Sequence, residues 1–304
     1  MLASANETTV FFSVARLDRF GAFVHDMLMA HQYAFEHNAT YGGACPLKNS
    51  PQFARNADLH NQRLNLHQEL IQALGLSHIL KVACPQQHIA DGQQRRQVQA
   101  KILSRKDYYN IPSKLYNEQW LQYLHKRLLL PTTTHQTSRH DDDDDDDLLN
   151  VACHVRRGDV TPCANADRYF PNLYYLQVLE RHIMGKNQYL TRINVTIFSE
   201  SSSFESLDVF RRGKKNTNDF TLALDTNIAT IWRAIMQANI VVLSKSTFSM
   251  VPAMLNPTAT VFYPNMSSAS SGSMVVAPHW TKVDDDIVEN AAREFQRLRA
   301  ECGS

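Results

Sequence analysis

The sequence predicts an α/β fold with two domains, and three observations support this prediction. Its 304 residues, 43% of them hydrophobic and 20% charged, are enough for two medium-sized cores. From residue 148 onward, short β-forming runs alternate with segments of helical spacing, the pattern of a Rossmann-like parallel sheet. The chain also opens with a strand, a glycine-containing turn and a helix. We therefore expect an N-terminal domain over 1–130 and a C-terminal domain over 148–304, joined by a linker over 131–147.

The N-terminal half contains five predicted elements, assigned from apolar periodicity. In chain order they are a strand at 9–15, a helix that follows a turn at Arg16 to Gly21 and runs to about His37, a helix at 60–75, a strand at Ile79–Ala83, and a largely helical stretch at 93–130.

The linker is polar and ends in seven consecutive aspartates, Asp141–Asp147. A run of like charges repels itself and has no apolar surface to bury, which predicts a solvated connection. The alternative is a metal site, because the run contains Asp-x-Asp. Metal sites need carboxylates that the fold holds in place, so the linker interpretation is the stronger one.

The C-terminal half has a more regular pattern, in which strands and helices alternate. The predicted elements are strands at Leu148–Val155, Ile193–Ser199, Ile240–Ser244 and Ala259–Tyr263, and helices at Pro171–Ile183, Ile228–Met236 and Phe248–Leu255. Parallel sheets of this kind bind ligands at the carboxyl ends of their strands, so side chains that follow the strands are the candidates for function.

Charge and cysteine content exclude several classes of protein. The formal net charge of +1 gives no global basic field, so we expect no nucleic-acid partner. The five cysteines are scattered without a Cys-x-x-Cys pair, which argues against a zinc site and a dense disulfide framework, although one or two bridges fit the count. No run spans a membrane and no signal peptide is present, so we expect a cytoplasmic protein, or a lumenal one whose anchor lies outside this chain.

Four Asn-x-Ser/Thr sequons occur, at Asn6, Asn38, Asn194 and Asn265. They suit a protein of the secretory pathway, but chance supplies a few in a chain of this length. Asn194 opens a predicted buried strand, which is a poor place for a glycan. The sequons therefore favour a lumenal location only slightly.

The first candidate motif, His154–Asp159, reads His-Val-Arg-Arg-Gly-Asp and lies where a predicted strand ends. Arginine presents a planar, permanently charged fork that matches two phosphate oxygens at once. Adjacent side chains on a strand point to opposite faces, so one of Arg156 and Arg157 is expected to enter the cleft. Gly158 permits a sharp turn, and Asp159 either holds an arginine in its working rotamer or takes part in proton transfer. Taken alone, the motif is equally compatible with a surface loop.

The second candidate motif, Ser244–Ser249, reads Ser-Lys-Ser-Thr-Phe-Ser and joins a predicted strand to a predicted helix. Its hydroxyls and backbone N–H groups gather at a helix N-terminus, which favours anions. The simpler explanation is an ordinary helix cap. Two anion-suited motifs at the strand ends of one sheet favour a diphosphate site between them.

These motifs resemble the signature of the fucosyltransferase superfamily that contains the α1,2-, α1,6- and protein O-fucosyltransferases. The resemblance covers residues 149 to 264, with the order and spacing of the family. The matching segments are His154–Asp159, Tyr174–Tyr175, Ile197–Glu200, Ala238–Ser249 and Ala253–Asn256. The N-terminal loop from Arg16 to His25 is similar in form, but it lacks the Gly-Asn-Gln triplet of the α1,2 branch, which puts the acceptor in doubt.

The resemblance implies a GT-B-like fold, with two Rossmann-like domains facing across a cleft and the acceptor on the N-terminal side. It further implies inverting transfer of L-fucose from GDP-β-L-fucose to a glycan or glycoprotein, without a metal or other cofactor. If a membrane anchor is missing from this chain, the Golgi or the endoplasmic reticulum lumen is the expected compartment.

Residue roles follow from matching the family motifs onto this chain. Arg156 and Asp159 are expected to be catalytic. The residues expected to bind the nucleotide are Gly21, His154, Arg157, Asp225, Ser246, Thr247 and Phe248. A satisfied strand-end histidine is the alternative for His154, and helix capping is the alternative for Asp225.

An inverting displacement also asks for a base on the acceptor hydroxyl. Asp159, Asp18, His25 and Glu200 are the candidates, and the sequence does not rank them. Two other functions stay open: a non-catalytic nucleotide- or carbohydrate-binding relative, and a metal-dependent sugar-nucleotide transferase supported only by the aspartate run.

Overall fold

The chain folds as two separate α/β units. A computed structural model describes residues 8–15, 19–46, 57–84, 98–104, 106–107, 116–128, 148–185, 192–201, 204–213, 219–264, 277 and 279–303. One unit takes in Met1–Thr132 with Val275–Pro278, and the other takes in Thr133–Met274 with His279–Ser304. Each unit contains a parallel sheet, so the expected α/β class is confirmed. The predicted linker at 131–147, including Asp141–Asp147, lies outside the described residues.

The N-terminal unit is built on three parallel strands in the order β2-β1-β3. Its elements are β1 (Thr8–Val14), α1 (Phe20–Glu36), β2 (Thr40–Cys45), α2 (Ala57–Ala73), β3 (Val98–Leu103) and α3 (Glu118–Leu128). Helix α1 is buried over most of its length, which makes it the core helix of this unit. A disulfide joins Cys45, at the end of β2, to Cys84.

The sequence predicted the first strand and the first two helices correctly, and three other predictions for this half were wrong. Gly21 lies in the first turn of α1 and not in the preceding turn, because the helix begins at Phe20. Ile79–Ala83 is not a strand, since within it only Val82 pairs, in an isolated bridge to Ala44. The helical interpretation of 93–130 is correct over α3 but fails over β3, an edge strand in which Ala100, Lys101 and Ile102 are all exposed.

The C-terminal unit contains six parallel strands in the order β6-β5-β4-β7-β8-β9. The strands are β4 (Leu148–Val155), β5 (Arg192–Ser199), β6 (Asp219–Leu224), β7 (Ile240–Val242), β8 (Thr260–Tyr263) and β9 (Thr281–Lys282). Numbered within the unit, the order is third, second, first, fourth, fifth, sixth. This is a doubly wound sheet, whose ligand crevice is expected where the order reverses, between β4 and β7.

In the described residues of this unit, four α-helices accompany the sheet, and three of them were predicted. They are α4 (Asn172–Val178), which continues as a π-helical segment (Leu179–Met184), α5 (Ile228–Gln237), α6 (Thr247–Met254) and α7 (Asp285–Ala300). Strands β4, β5, β7 and β8 were predicted as well, whereas β6, β9 and α7 were not. The core of the unit gathers apolar residues of the sheet, α4 and α7, among them Val195, Tyr174 and Ile287.

Covalent and surface features complete the fold. A second disulfide joins Cys163, in the loop after β4, to Cys302 beyond α7, and Cys153 is buried with a free thiol. Asn38 is exposed at the end of α1, whereas the side chain of Asn194 donates to Asn150 from within β5. The sequons at residues 6 and 265 lie outside the described residues. In the part of the chain that the structure describes, no helix has the length and apolar character to cross a bilayer.

Candidate functional site

The candidate site lies at the carboxyl ends of β4 and β7, where the strand order reverses. His154 is the second-last residue of β4, and Ser244 follows the last residue of β7 by two positions. Their side chains meet, with His154 Nδ1 2.6 Å from Ser244 Oγ. The two sequence motifs, 90 residues apart in the chain, are therefore neighbours in space, as the carboxyl-end rule for parallel sheets predicts.

Arg156 reaches across this junction to the N-terminus of α6. Its guanidinium donates to Ser246 Oγ at 3.0 Å and to Asp159 Oδ1 at 2.6 Å. Ser246 is the N-cap of α6, and its Oγ accepts a hydrogen bond from the Phe248 backbone N–H at 3.2 Å. A permanent positive charge thus lies beside the positive end of a helix dipole. This arrangement favours an anion such as a diphosphate.

Lys245 directly precedes the N-cap of α6 and is a second basic residue of the site. Its ammonium donates to the Asp167 carbonyl at 3.0 Å, and partial burial lowers the pKa of the amine. Lys245 belongs to the Ser244–Ser249 motif, but no role was predicted for it. Its place between two hydroxyl residues at a strand end was the signal that could have identified it.

Thr247 and Phe248 form the first turn of α6, and both are partly buried. The Phe248 ring lies 5.2 Å from the His154 ring, and it meets the Trp232 ring edge-on at 6.2 Å. A partly accessible aromatic face thus adjoins the anion-suited helix terminus. Such a face suits the ring system or the sugar of a nucleotide.

His154 is buried and electrically neutral. Desolvation lowers its pKa to about 3, and the charges of Arg156 and Arg157 act in the same direction. Ser244, which contacts this ring, is also close to Ser249, and the Oγ atoms of the two serines are 3.3 Å apart. The ring therefore acts as a hydrogen-bonding group that fixes the junction of β4 and α6, not as a proton carrier near neutral pH.

Arg157 points into the protein, away from the site. It is only 1% exposed and donates to the carbonyls of Arg156 at 2.8 Å and Phe170 at 3.0 Å. Its other amine donates to Asn172 at 2.5 Å and to Glu205 at 3.1 Å. The two arginines thus diverge, as expected, and Arg157 is enclosed by the protein. These contacts favour a positioning role for Arg157 over nucleotide binding.

Position 158 requires a glycine for two reasons, the conformation of its backbone and the space around it. Its φ is +70°, and a Cβ atom would lie 1.8 Å from Oε2 of Glu200. Any other residue would be strained and would displace that carboxylate. Glu200, which follows β5, is therefore held against the loop that carries Arg156.

Asp225 lies beyond the end of β6, at the same edge of the sheet. Its backbone is left-handed, with φ +50°, and its carboxylate accepts from both the backbone N–H and the hydroxyl of Ser201. These hydrogen bonds lower the pKa of the carboxyl. The N-capping alternative for Asp225 is wrong, because Asn227 caps α5 by accepting from the Thr230 N–H at 2.9 Å.

The remaining candidates belong to the N-terminal unit. Gly21 and His25 are both buried within α1, and Asp18 lies outside the described residues. The structure therefore brings together Arg156, Asp159, His154, Ser246, Thr247 and Phe248, and it places Gly21 and His25 in a separate unit. Within the described ranges, no group of three or more His, Cys, Asp or Glu side chains is arranged to hold a metal ion. Metal independence stays a prediction.

Comparison with known proteins identifies structural likeness alone. No family model matches the chain, and no curated protein matches its sequence. A structure of POFUT1 in complex with GDP has a TM-score of 0.40 and 10% identity, covering 84% of this chain and 97% of that one. Heptosyltransferase WaaC of E. coli, with ADP-2-deoxy-2-fluoro heptose, has a TM-score of 0.37 and 10% identity, covering 95% and 99%. Because these TM-scores are low, the functional proposal rests on the residues of this chain.

Proposed function

We propose that this protein is an inverting, metal-independent glycosyltransferase that transfers L-fucose from GDP-β-L-fucose to a hydroxyl of a glycan or glycoprotein. The observation that carries the proposal is the contact between Arg156 and Ser246 at the N-terminus of α6, at the reversal of strand order. The likeness of both motifs to the fucosyltransferase superfamily supports the identity of the donor.

Stabilisation of the leaving diphosphate is the chemistry that this site supports. As the glycosidic bond breaks, negative charge grows on the phosphate oxygen, and groups that are already in place stabilise it without reorganisation. Arg156 supplies a two-point charged contact there, and Thr247 and the α6 N–H groups supply further donors. Lys245, which directly precedes the N-cap of α6, is a second positively charged residue of the motif.

Asp159 acts on the donor through Arg156. Its carboxylate is 2.6 Å from the guanidinium, an ion pair that holds the arginine in its working rotamer. This contact supports the first of the two alternatives for Asp159, a positioning role. Glu200, His25 and Asp18 stay candidates for the base on the acceptor hydroxyl, with Asp18 outside the described residues, and Asp225 stays a candidate contact to the nucleotide.

An oxidising compartment is part of the proposal. The two disulfides, one in each unit, favour the lumen of the Golgi or the endoplasmic reticulum over the cytoplasm, where thiols are kept reduced. The exposed sequon at Asn38 fits the same compartment.

A nucleotide comparison tests the donor, and a turnover assay then tests the reaction. A ligand that binds only the folded state raises the melting temperature, so GDP should stabilise the chain more than UDP or CMP. GDP-fucose should then be hydrolysed slowly in excess EDTA without an acceptor. Equal or absent stabilisation by all three nucleotides would refute the nucleotide site. GDP binding without any turnover would identify a non-catalytic relative instead.

A further inference from the structure

The N-terminal unit contains a cavity that is separate from the candidate site. This cavity, of about 610 Å³, is lined by residues of α1, α3, the start of β2 and the segment at His78 and Ile79. Helix α1 ends and β2 begins beside it, so it lies at the amino edge of the sheet. The carboxyl ends of β1 and β2, where a parallel sheet is expected to bind ligands, are at the opposite edge. Its volume is in the range of small-molecule sites.

One wall of the cavity carries a histidine whose tautomer is determined by its neighbour. Trp120 Nε1 donates to His31 Nδ1 at 3.0 Å, and an indole N–H can only donate. Nδ1 is therefore an acceptor, and the proton of the neutral ring is on Nε2. Burial, helped by the charge of Arg127, lowers the pKa of His31 to about 4, so the ring stays neutral near neutral pH. The cavity wall thus includes a constant, uncharged N–H donor.

The lining also combines charges of both signs with a phenol, whose ring lies 5.9 Å from the His31 ring. Arg127 donates to Tyr123 Oη at 2.8 Å, which leaves the phenolic proton to donate elsewhere. The carboxylate of Glu36 accepts from the amides of Gln32 and Asn117. Among the residues that the structure describes, Glu36 and Arg127 are the only Asp, Glu, Lys or Arg side chains that line the cavity, and their formal charges cancel.

This balance selects the kind of ligand. A phosphate would be attracted by Arg127 but repelled by the carboxylate of Glu36. A cation would be attracted by Glu36 but repelled by Arg127. A hydroxyl group both donates and accepts, so an uncharged polyol can form hydrogen bonds with the donors and with the acceptors of the lining. The rings of Phe35 and Tyr123, with centroids 5.0 Å apart, offer apolar surface for the C–H groups of such a ligand.

We propose that this cavity binds an uncharged sugar residue. Binding of a sugar in this cavity does not depend on the proposed donor site. Its use as a remote contact for the acceptor glycan rests on the proposed transferase function. In that use, the cavity would hold a sugar other than the one that receives fucose, and it would raise affinity for longer acceptors without touching the reacting atoms.

The test is a titration of the whole chain with neutral methyl glycosides of galactose, N-acetylglucosamine and mannose, followed by calorimetry and ligand-observed NMR. At least one should bind, and Tyr123→Phe, which removes only the hydroxyl, should weaken it by roughly twofold to tenfold. Tyr33→Phe is the matched control, since Tyr33 lies on α1 but does not line the cavity. Arg127→Gln, which leaves Glu36 without its balancing charge, should also weaken binding.

Several outcomes would overturn the proposal. These are no binding by any glycoside, equal loss in Tyr33→Phe and Tyr123→Phe, or displacement of the glycoside by inorganic phosphate. GDP affinity separates the two proposals, because Tyr123→Phe should leave it unchanged. Glycoside binding in a chain that does not bind GDP would support this cavity and refute the donor site.

Discussion

Arg156 and Arg157 are adjacent in the chain and have opposite surroundings. Arg156 lies at an accessible helix terminus with a carboxylate and a hydroxyl as partners. Arg157 is enclosed, with four hydrogen bonds and the Tyr169 ring 4.5 Å from its guanidinium carbon. The divergence of the two side chains follows from strand geometry and could be predicted. The enclosure could not, because Asn172 and Glu205 come from other segments of the chain.

Arg156→Lys tests geometry against charge. Lysine keeps the positive charge but loses the paired contact, so turnover of GDP-fucose should fall by about a hundredfold to a thousandfold. The charge on the diphosphate grows toward the transition state, so affinity for the intact donor should fall less. The measurement is turnover with and without acceptor, beside GDP calorimetry. The control is Arg181→Lys, which changes an exposed ion pair with Asp286 and should have little effect. Near-normal turnover in Arg156→Lys would remove the phosphate-clamp role.

Arg157→Lys should act on stability. A lysine in this enclosed position cannot reproduce the contacts to Phe170, Asn172 and Glu205, which would leave buried acceptors without a donor. The free energy of unfolding should fall by about 2 kcal/mol or more. Urea unfolding measures the change, and Arg181→Lys should stay within about 0.5 kcal/mol of the wild type. A fully stable Arg157→Lys variant without GDP affinity would instead return Arg157 to the nucleotide site.

Among the elements, the first turn of α6 is the one on which the site depends most. Ser246 and Asn227 are both N-caps that accept from a backbone N–H, one on α6 and one on α5. Replacing either with alanine should cost about 0.5–2 kcal/mol of stability. Only Ser246→Ala should also weaken GDP binding, by roughly tenfold, because Arg156 loses its partner there. Calorimetry with GDP on both variants checks this, and an equal loss in Asn227→Ala would assign Ser246 to capping alone.

The loop between β4 and α4 depends on Gly158 both for its backbone conformation and for the space beside it. Comparison with a second glycine separates these two effects. Gly158 and Gly75 share a φ of +70°, but a Cβ at Gly75 meets nothing within 4 Å, whereas one at Gly158 collides with Glu200. Gly75→Ala should therefore show only the cost of the left-handed backbone, about 1–2 kcal/mol. Gly158→Ala should cost more and should lower turnover, because the collision moves the Arg156 loop. Thermal unfolding and turnover are measured on both variants. Equal losses in Gly75→Ala and Gly158→Ala would contradict this prediction.

The elements that could be predicted are those whose burial produces a plain pattern. Strand β7 is a continuous apolar run, β4 is apolar at most positions, β5 alternates polar and apolar residues over most of its length, and α5 has apolar residues at regular helical steps. Strand β2 was missed because it contains two glycines, one of which packs where a Cβ would lie 2.4 Å from the Phe12 ring. Strands β3 and β6 are edge strands, whose exposed residues weaken the apolar signal.

At the scale of the whole molecule, the place of the candidate site in the fold could be predicted from the sequence, whereas the disulfide pairing and the N-terminal cavity could not. Alternating strands and helices identify a parallel sheet, and the carboxyl-end rule then brings His154 and Ser244 together. The disulfide partners were not predictable, because Cys163 and Cys302 are 139 residues apart and meet only through the packing of α7. The cavity in the N-terminal unit gave no sequence signal either, since its lining comes from four segments without a shared motif.

Each of the two units contains a buried histidine that should make the folded protein less stable at acidic pH. His154 and His31 are buried, with pKa values lowered by burial from 6.5 to about 3 and about 4. Below about pH 6.5 the unfolded chain takes up protons that the folded chain does not, so stability falls as the pH falls, until each folded pKa is reached. Each ring should contribute up to about 1.4 kcal/mol per pH unit in this window.

The measurement is chemical unfolding at about pH 7, 6 and 5, compared between the wild type and the double variant His31→Asn/His154→Asn. Asparagine can replace the hydrogen bond at Nδ1 without a titrating ring, so the variant should lose much of the acid slope while keeping its fold near neutral pH. His37→Asn, at an exposed position after α1, is the control and should keep the wild-type slope. An unchanged slope in the double variant would mean that neither buried ring stays neutral as the pH falls. It would also remove the basis for treating His154 as an uncharged structural group of the donor site.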